Sequence, residues 1–232
     1  MKLLFISLGC DKNLVDSEVM LGELSAKGYS FTEDETEAEV IVVNTCCFIN
    51  DAKEESINTI LEMAEYKKEG SCKALIVTGC LAQRYRQEII DEIPEVDAVL
   101  GTTSFDHICE AVEEALGGGH LVKMDDLQKL VKSEKQRILT TGGHYAHLKI
   151  AEGCDKHCTY CIIPKIRGTF RSVPMEQLVE EAKQLVSQGV KELILVAQET
   201  TLYGVDLYGE KSLQSTEEKR NFLLKGIKIL LF

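Results

Sequence analysis

The sequence predicts an α/β protein in which a doubly wound parallel sheet is followed by the start of a β/α barrel. Short apolar runs alternate with amphipathic stretches along most of the chain, a pattern typical of successive βαβ units. Glycine or proline ends most of the amphipathic stretches, as expected at the ends of helices. The length of 232 residues allows two modest domains.

The amino-terminal half contains four predicted buried strands and one weaker strand. The strong runs are Lys2–Leu8, Val40–Asn44, Ala74–Thr78 and Ala98–Leu100, and the weaker one lies near Tyr29–Thr32. The helical patterns between them are Val15–Lys27, Ala52–Lys67, Leu81–Ile93 and Phe105–Leu116. Because strands and helices alternate, we expect a parallel sheet covered on both faces.

A connection is predicted at residues 119–143, after a first domain at residues 1–118. Three consecutive glycines end at Gly119, and a charged stretch follows at 123–137. A second βα series then begins, with a strand at His144–Ile150, a helix at Met175–Gln188 and a strand at Glu192–Ala197. This series is typical of the opening of a β/α barrel.

Composition narrows the possible functions. The formal net charge of −12 argues against a large basic surface for nucleic acid. The apolar run Leu3–Leu8 is shorter than the roughly 7–15 residues of a signal peptide. No run reaches the roughly 20 apolar residues of a membrane span. We therefore expect a cytoplasmic protein with no membrane association, where clustered cysteines indicate metal or redox chemistry.

Cys154, Cys158 and Cys161 form a C-x-x-x-C-x-x-C triad. Three thiolates at this spacing can hold three irons of a [4Fe–4S] cube and leave the fourth iron open, because no fourth cysteine follows at the spacing of ferredoxins. The alternatives are a zinc knuckle and a disulfide pair. His157 is badly placed as a fourth zinc ligand because Cys158 follows it directly, so an iron–sulfur site is favoured.

A second group of cysteines is dispersed along the first domain. Cys10, Cys46 and Cys80 each follow the carboxyl end of a predicted strand, namely the first, third and fourth. In the common strand order 2-1-3-4-5 these strands are neighbours, and ligands bind outside their carboxyl ends. We therefore predict a second metal cluster there, with three ordinary buried cysteines as the alternative.

The other three cysteines are not predicted to be metal ligands, and two of them, Cys72 and Cys109, are expected to be structural or incidental. Cys47 follows Cys46 directly, and side chains of consecutive extended residues point to opposite sides. Cys72 lies in a predicted loop and Cys109 on a predicted helix face.

Three motifs make a resemblance specific. They surround the dispersed cysteines at residues 7–19 (SLGCDKNLVDSEV), 43–50 (VNTCCFIN) and 78–86 (TGCLAQRYR). Together with the triad they resemble the radical S-adenosylmethionine (SAM) methylthiotransferase family, which has a flavodoxin-like amino-terminal domain and a radical SAM barrel. The resemblance extends from residue 1 to about Gly209.

The residues after Cys10 resemble one branch of that family. The tRNA-modifying branch usually has Gln-Met-Asn there, whereas this chain has Asp11-Lys12-Asn13. This form resembles the RimO-type branch, which adds a methylthio group to the β-carbon of an aspartate in ribosomal small-subunit protein twelve. The alternatives are a tRNA adenosine methylthiotransferase of MiaB type, for which the acidic composition makes tRNA a less favoured partner, and a non-catalytic iron–sulfur fragment.

The resemblance implies cofactors, partners and site residues. Two [4Fe–4S] clusters and SAM are implied, with the open iron binding the methionyl group of SAM to form a 5′-deoxyadenosyl radical. An electron donor such as flavodoxin or ferredoxin is implied as a partner. The implied SAM contacts are Tyr160, Ile162, Gln198, Glu199 and Thr200, although the family commonly has Asp at position 199. Arg167 and Arg171 are candidates to bind the SAM carboxylate or an acidic substrate. No catalytic side chain is assigned.

The end of the chain departs from the resemblance. A radical SAM barrel is expected to have six strands, and two are predicted before residue 211. We therefore expect an incomplete radical SAM domain at 144–210 and an atypical tail at 211–232, as in a protein truncated at its carboxyl terminus. Such a chain is expected to fold its first domain and to catalyse poorly. The apolar end 227–232 is expected to pack on the open edge of the barrel or to promote aggregation.

Overall fold

The computed structural model describes residues 1–131, 137–212 and 228–231. The chain separates into two compact units, Met1–Ile138 and Leu139–Phe232, which we call unit 1 and unit 2. None of the helices in the described ranges is both long enough and apolar enough to span a membrane.

Unit 1 is built on a six-stranded parallel sheet. Its strands are β1 (Lys2–Ser7), β2 (Ser30–Phe31), β3 (Val40–Thr45), β4 (Ala74–Gly79), β5 (Ala98–Leu100) and β6 (Leu121–Lys123). They are arranged in the order β2-β1-β3-β4-β5-β6, and every neighbouring pair is parallel. The predicted α/β class and the doubly wound order 2-1-3-4-5 are confirmed, with one further strand beside β5.

Four α-helices connect the strands of unit 1. They are α1 (Asp11–Ala26), α2 (Asn50–Glu69), α3 (Cys80–Glu92) and α4 (Ile108–Leu116). A short 3₁₀ turn at Phe105–His107 precedes α4, so the predicted helix 105–116 is regular only from Ile108. The helices cover the sheet on both faces, as the unbroken apolar sequences of β3 and β4 require.

The core of unit 1 follows from strand alternation. Val40 and Val42 of β3 pack in one apolar cluster with Met20 and Leu24 of α1 and with residues of α4. Ile41 and Val43 are equally buried but point to the other face of the sheet, because successive strand residues alternate. The central strands are therefore fixed from both sides, and their carboxyl ends have defined positions.

β6 lies within residues 119–143, the predicted linker. It pairs in parallel with β5, and its Leu-Val-Lys sequence is too short to stand out as an apolar run. Farther along, Arg137 donates to the carboxylate of Glu18 on α1 at 2.6 Å, and both side chains are buried. The unit therefore continues to Ile138, whereas part of the predicted charged stretch, 132–136, lies outside the described residues.

Unit 2 contains a three-stranded parallel sheet and a short antiparallel pair. Its strands are β7 (Tyr145–Lys149), β8 (Ala151–Glu152), β9 (Arg171–Ser172), β10 (Glu192–Val196) and β11 (Lys228–Leu231). Its helices are α5 (Ile163–Arg167), α6 (Met175–Ser187) and α7 (Val205–Tyr208). The parallel sheet has the order β11-β10-β7, and β8 pairs with β9. Apolar residues of α6 pack on β7 and β10.

The tail contains a strand that the resemblance did not predict. β11 pairs in parallel with β10, with Lys228 opposite Glu192. The two strands predicted before residue 211 correspond to β7 and β10. β11 adds a third parallel strand in the tail, because an apolar Ile-Leu-Leu run can join a sheet edge without resembling a family motif. The expected packing of the apolar end on the open edge is confirmed for 228–231, whereas 213–227 lie outside the described residues.

Candidate metal centres

The three dispersed cysteines lie at the carboxyl ends of three adjacent strands. Cys10 follows β1 and directly precedes α1, Cys46 follows β3, and Cys80 is the first residue of α3 after β4. Cys46 and Cys80 are each 5% exposed, whereas Cys10 is exposed. The sheet order β1-β3-β4 therefore brings the predicted ligands to one edge.

Gly9 allows the loop that carries Cys10 to approach Cys46. Its φ of +98° lies in the region that favours glycine. A Cβ atom at this position would lie 2.6 Å from Cβ and 2.9 Å from Sγ of Cys46. A larger residue would push the two cysteine loops apart.

The side chain of Asn13 contacts the loops of all three cysteines. Its Nδ2 donates to the carbonyl oxygens of Leu8 at 2.9 Å and Thr45 at 2.8 Å. Its Oδ1 accepts from Sγ of Cys80 at 3.8 Å. Asn13 lies within the motif that follows Cys10, but the local sequence gives no signal that its side chain reaches the other two cysteine loops.

Two of the three cysteines also lie at helix amino termini. Cys10 is the residue before the first turn of α1, and Cys80 opens α3. The partial positive charge at such ends is favourable for a negatively charged ligand such as a thiolate. The site therefore has the donor atoms and the local electrostatics for a thiolate-bound metal cluster.

Cys47 is buried beside Cys46 and lies close to the Cys80 loop. Its Sγ donates to the backbone carbonyl of Cys80 at 3.2 Å, whereas Cys46 packs on Gly9. Burial raises the pKa of the Cys47 thiol, and the nearby charge of Arg84 partly opposes this effect.

The triad occupies the loop between β8 and α5. Cys154 and Cys161 are partly exposed and Cys158 is exposed. The backbone N–H of Cys154 donates to Gly168 O at 3.1 Å, and that of Cys161 donates to Cys158 O at 3.0 Å. The loop also contains His157 in a left-handed conformation, with φ of +45°. All three sulfurs thus belong to one short, hydrogen-bonded loop.

Gly153 sets the entry to this loop. Its φ is +71°, and a Cβ atom there would overlap the carbonyl oxygen of Thr169. The Oδ1 of Asp155 accepts from the backbone N–H of Phe170 at 2.9 Å, which holds the same two segments together.

A buried ion pair supports the triad loop. Arg167 donates to the carboxylate of Glu152 at 2.8 Å, and both side chains are less than 10% exposed. Arg171 is also buried and donates to the carbonyl oxygens of Arg167 and Thr169. These guanidinium groups thus hold the backbone around the triad.

The residues implied as SAM contacts lie on the triad loop and just beyond β10. Tyr160 is 90% exposed, and Ile162 is partly exposed. Gln198, Glu199 and Thr200 follow the carboxyl end of β10, the strand next to β7. Lys156 forms an ion pair with Glu199, which lowers the pKa of Glu199 and raises that of Lys156. The two segments therefore meet, while the individual SAM contacts stay predictions.

The donor sets of both centres fit iron–sulfur clusters. None of the nine cysteines forms a disulfide, and three of them lie at each candidate centre. Cys72 donates to Ala74 O at 3.4 Å, and Cys109 packs against the core of unit 1, consistent with the predicted structural roles. Burial raises the pKa of both these thiols, which makes them poorer thiolate ligands.

A cluster of acidic side chains beyond the carboxyl ends of β5 and β6 is paired with a lysine. The donor atoms of Asp106, His107 and Asp125 all lie within 4.8 Å of one another. Lys129 donates to Asp106 at 2.7 Å and to Asp125 at 2.6 Å. The lysine ammonium offsets part of the negative charge of these carboxylates, and the group is an ion-pair network of unit 1.

Family models match both parts of the chain. One described as Uncharacterized protein family UPF0004 matches residues 2–101, and one described as Radical SAM superfamily matches residues 148–230. The second match includes the triad loop and continues into β11.

Curated relatives match across nearly the whole chain. A protein named ribosomal protein uS12 methylthiotransferase RimO from Lachnoclostridium phytofermentans is 70% identical over 92% of this chain and 48% of its own length. A protein of the same name from Desulforamulus reducens is 53% identical over 92% of this chain and 48% of its own length. Another from Clostridioides difficile is 50% identical over 94% of this chain and 49% of its own length. The chain thus spans about half the length of the curated relatives it matches.

A solved structure shares the fold. The radical S-adenosylmethionine methyltransferase TsrM from Kitasatospora setae, with cobalamin and a [4Fe-4S] cluster bound, matches with a TM-score of 0.62 and 10% identity. The match covers 98% of this chain and 55% of that protein. The family matches and the curated relatives together show that the chain resembles RimO-type radical SAM methylthiotransferases along nearly its whole length.

Proposed function

We propose that this chain provides the cofactor-binding residues of a methylthiotransferase that modifies ribosomal protein uS12. The transfer would place a methylthio group on the β-carbon of an aspartate. The observation that carries the proposal is the presence of two separate sets of three free cysteines, one at the strand ends of unit 1 and one in the triad loop of unit 2. The relatives named as uS12 methylthiotransferases support the choice of substrate.

In unit 2, Cys154, Cys158 and Cys161 would hold a [4Fe–4S] cluster and leave one iron open for SAM. When bound, this cluster supplies the electron that cleaves SAM to begin radical chemistry at an unactivated C–H bond. Gly153 and the buried Glu152–Arg167 pair keep the loop in the conformation that presents its three thiols.

The SAM molecule would lie between the triad loop and the carboxyl end of β10. Tyr160 and Ile162 are proposed to contact its adenine. Gln198, Glu199 and Thr200 are proposed to bind its polar groups, since ligand-binding residues of β/α barrels lie at the carboxyl ends of strands. The Lys156–Glu199 pair supports this placement because it joins the two segments.

In unit 1, Cys10, Cys46 and Cys80 would hold a second [4Fe–4S] cluster, which would carry the sulfur that is to be transferred. Cys10 and Cys80 lie at helix amino termini, where the partial positive charge is favourable for a negatively charged cluster. An electron donor such as flavodoxin or ferredoxin is proposed as a partner, and nine free thiols favour a reducing compartment such as the cytoplasm.

Mass spectrometry of uS12 and of digested tRNA tests the proposed substrate. In cells that lack this gene, uS12 is expected to lose one methylthio group while the methylthio-adenosine content of tRNA stays constant. Restoring the gene should restore the group on uS12, and restoring it with Cys154→Ala should not. Loss of the modification from tRNA instead of uS12 would assign the chain to the other branch.

A further inference from the structure

Asn13 is completely buried one turn into α1, at the edge of the sheet where the three cysteine loops meet. Its carboxamide uses both hydrogens as donors, to Leu8 O and to Thr45 O. Its oxygen faces Sγ of Cys80. These three contacts engage both ends of one carboxamide group.

Each contact belongs to the loop of a different cysteine. Leu8 lies two residues before Cys10, Thr45 directly precedes Cys46, and the third partner is the sulfur of Cys80 itself. The three loops are separated by more than 30 residues in the sequence, so contacts within one loop cannot set their spacing. One side chain therefore spans the three places from which the thiols project.

Asn13 itself is held firmly. Its backbone oxygen accepts from Nδ2 of Asn44 at 3.0 Å and from Oγ of Ser17 at 3.0 Å. Ser17 in turn shares a hydrogen bond with Ser7 at the end of β1. Buried hydrogen bonds of this kind fix geometry strongly, because an unpaired polar group in the same place is costly.

We propose that Asn13 is the positioning residue of the unit 1 centre: its carboxamide holds the loops of Cys10, Cys46 and Cys80 together before any metal binds. The inference rests on the proposed cluster at these cysteines. Asparagine suits this task because it supplies two donors and one acceptor from a short side chain. Aspartate would place oxygens against two carbonyl groups, and leucine would leave both carbonyls without this donor.

Thiol alkylation of the cluster-free chain tests the positioning directly. In the wild type, Cys10 should react quickly, whereas the buried Cys46 and Cys80 should react slowly. Asn13→Asp and Asn13→Leu should raise the alkylation rates of Cys46 and Cys80 by about tenfold or more, measured by peptide mass spectrometry under conditions where circular dichroism shows a folded chain.

Ser104→Ala is the matched control, because Ser104 is equally buried in unit 1 but its hydroxyl accepts from the backbone N–H of Asp125, outside the three cysteine loops. The rates of Cys46 and Cys80 should then stay within about twofold of the wild type. Wild-type rates in both Asn13 variants, or equal acceleration in the control, would overturn the inference. If the Asn13 variants do not fold, Asn13→Ser, which retains one donor, should give an intermediate rate.

Iron retention connects the inference to the proposed centre. In a chain with the triad cysteines changed to alanine, iron release to a chelator should be about 10–100 times faster with an Asn13 variant than with Asn13 intact. Such a change is expected when a residue that orients metal ligands is lost. An unchanged rate of iron release would contradict the positioning role of Asn13 and would leave the cluster proposal intact. If the same chain with Asn13 intact binds no iron, the cluster proposal fails, whereas the alkylation result still decides whether Asn13 holds the loops.

Discussion

Gly153 is the single residue on which the triad loop depends most directly. Its positive φ and its contact with Thr169 O exclude a side chain. Gly153→Ala is expected to abolish the cluster of unit 2, because the left-handed conformation costs about 1–2 kcal/mol and the overlap must displace the loop. Iron content should fall by about four atoms per chain.

Gly143→Ala provides the control for this substitution. Gly143 also lies in unit 2 with a φ of +77°, but a Cβ atom there meets nothing within 4 Å. This variant should incur the free-energy cost of a left-handed alanine but should retain its iron. If both alanine variants lose the same amount of iron, the overlap with Thr169 is not the cause of the iron loss in Gly153→Ala.

Residues that position ligands were harder to predict from the sequence than the ligands themselves. The cysteine spacing alone indicates the triad, because all three ligands lie within eight residues. Asn13 and the Glu152–Arg167 pair act on atoms brought close only by the fold. The sequence makes Arg167 a candidate to bind the SAM carboxylate or an acidic substrate, whereas the structure buries it against Glu152.

At the level of helices and strands, the Arg137–Glu18 pair joins the end of unit 1 to α1. Arg137→Met is expected to destabilise unit 1 by about 3–5 kcal/mol, because it leaves a buried carboxylate without its guanidinium partner. Chemical denaturation monitored by circular dichroism measures the loss. The double variant Glu18→Leu with Arg137→Met should recover most of it, and failure to recover would show that the pair is not the source of the effect.

The network around Lys129 predicts a pH dependence. The hydrogen bond from Lys129 holds the pKa of Asp125 below its ordinary value of 3.8. Its contribution to stability is therefore present above pH 3.8 and is lost as the pH falls through the lowered pKa. Asp125→Asn should cost about 1 kcal/mol at neutral pH.

Urea denaturation at a series of pH values tests this sign. The difference in the free energy of unfolding between wild type and Asp125→Asn should be constant near neutrality and should shrink in acid. Glu65→Gln is a control in the exposed Glu65–Lys68 pair and should have little effect at any pH. A difference that grows as the pH falls would contradict the assigned role of the ion pair.

Long apolar strands were predictable, whereas the short edge strands β6 and β11 were not. β3 and β4 are fully buried runs of six residues each, so their sequences identify them without tertiary information. β6 has three residues at a sheet edge, and β11 lies in a segment without a recognisable motif. Both form by pairing with β5 and β10, and such pairing is not visible in local sequence.

In the molecule as a whole, the two sets of cysteine ligands belong to different compact units. Unit 1 has a core between its sheet and α1 and α4, whereas unit 2 has a core between α6 and its parallel sheet. Because each centre is built on its own core, removal of one set of ligands should leave the other centre able to assemble. The iron content of variants that lack one set of cysteines measures this independence directly.

Iron and sulfide analysis with electron paramagnetic resonance on the anaerobically reconstituted chain tests the two-centre account most directly. The wild type should contain about eight irons per chain, and the variant with Cys154, Cys158 and Cys161 changed to alanine should contain about four. The variant with Cys10, Cys46 and Cys80 changed to alanine should also contain about four. About four irons in the wild type, unchanged by substitution of the triad, would contradict the account.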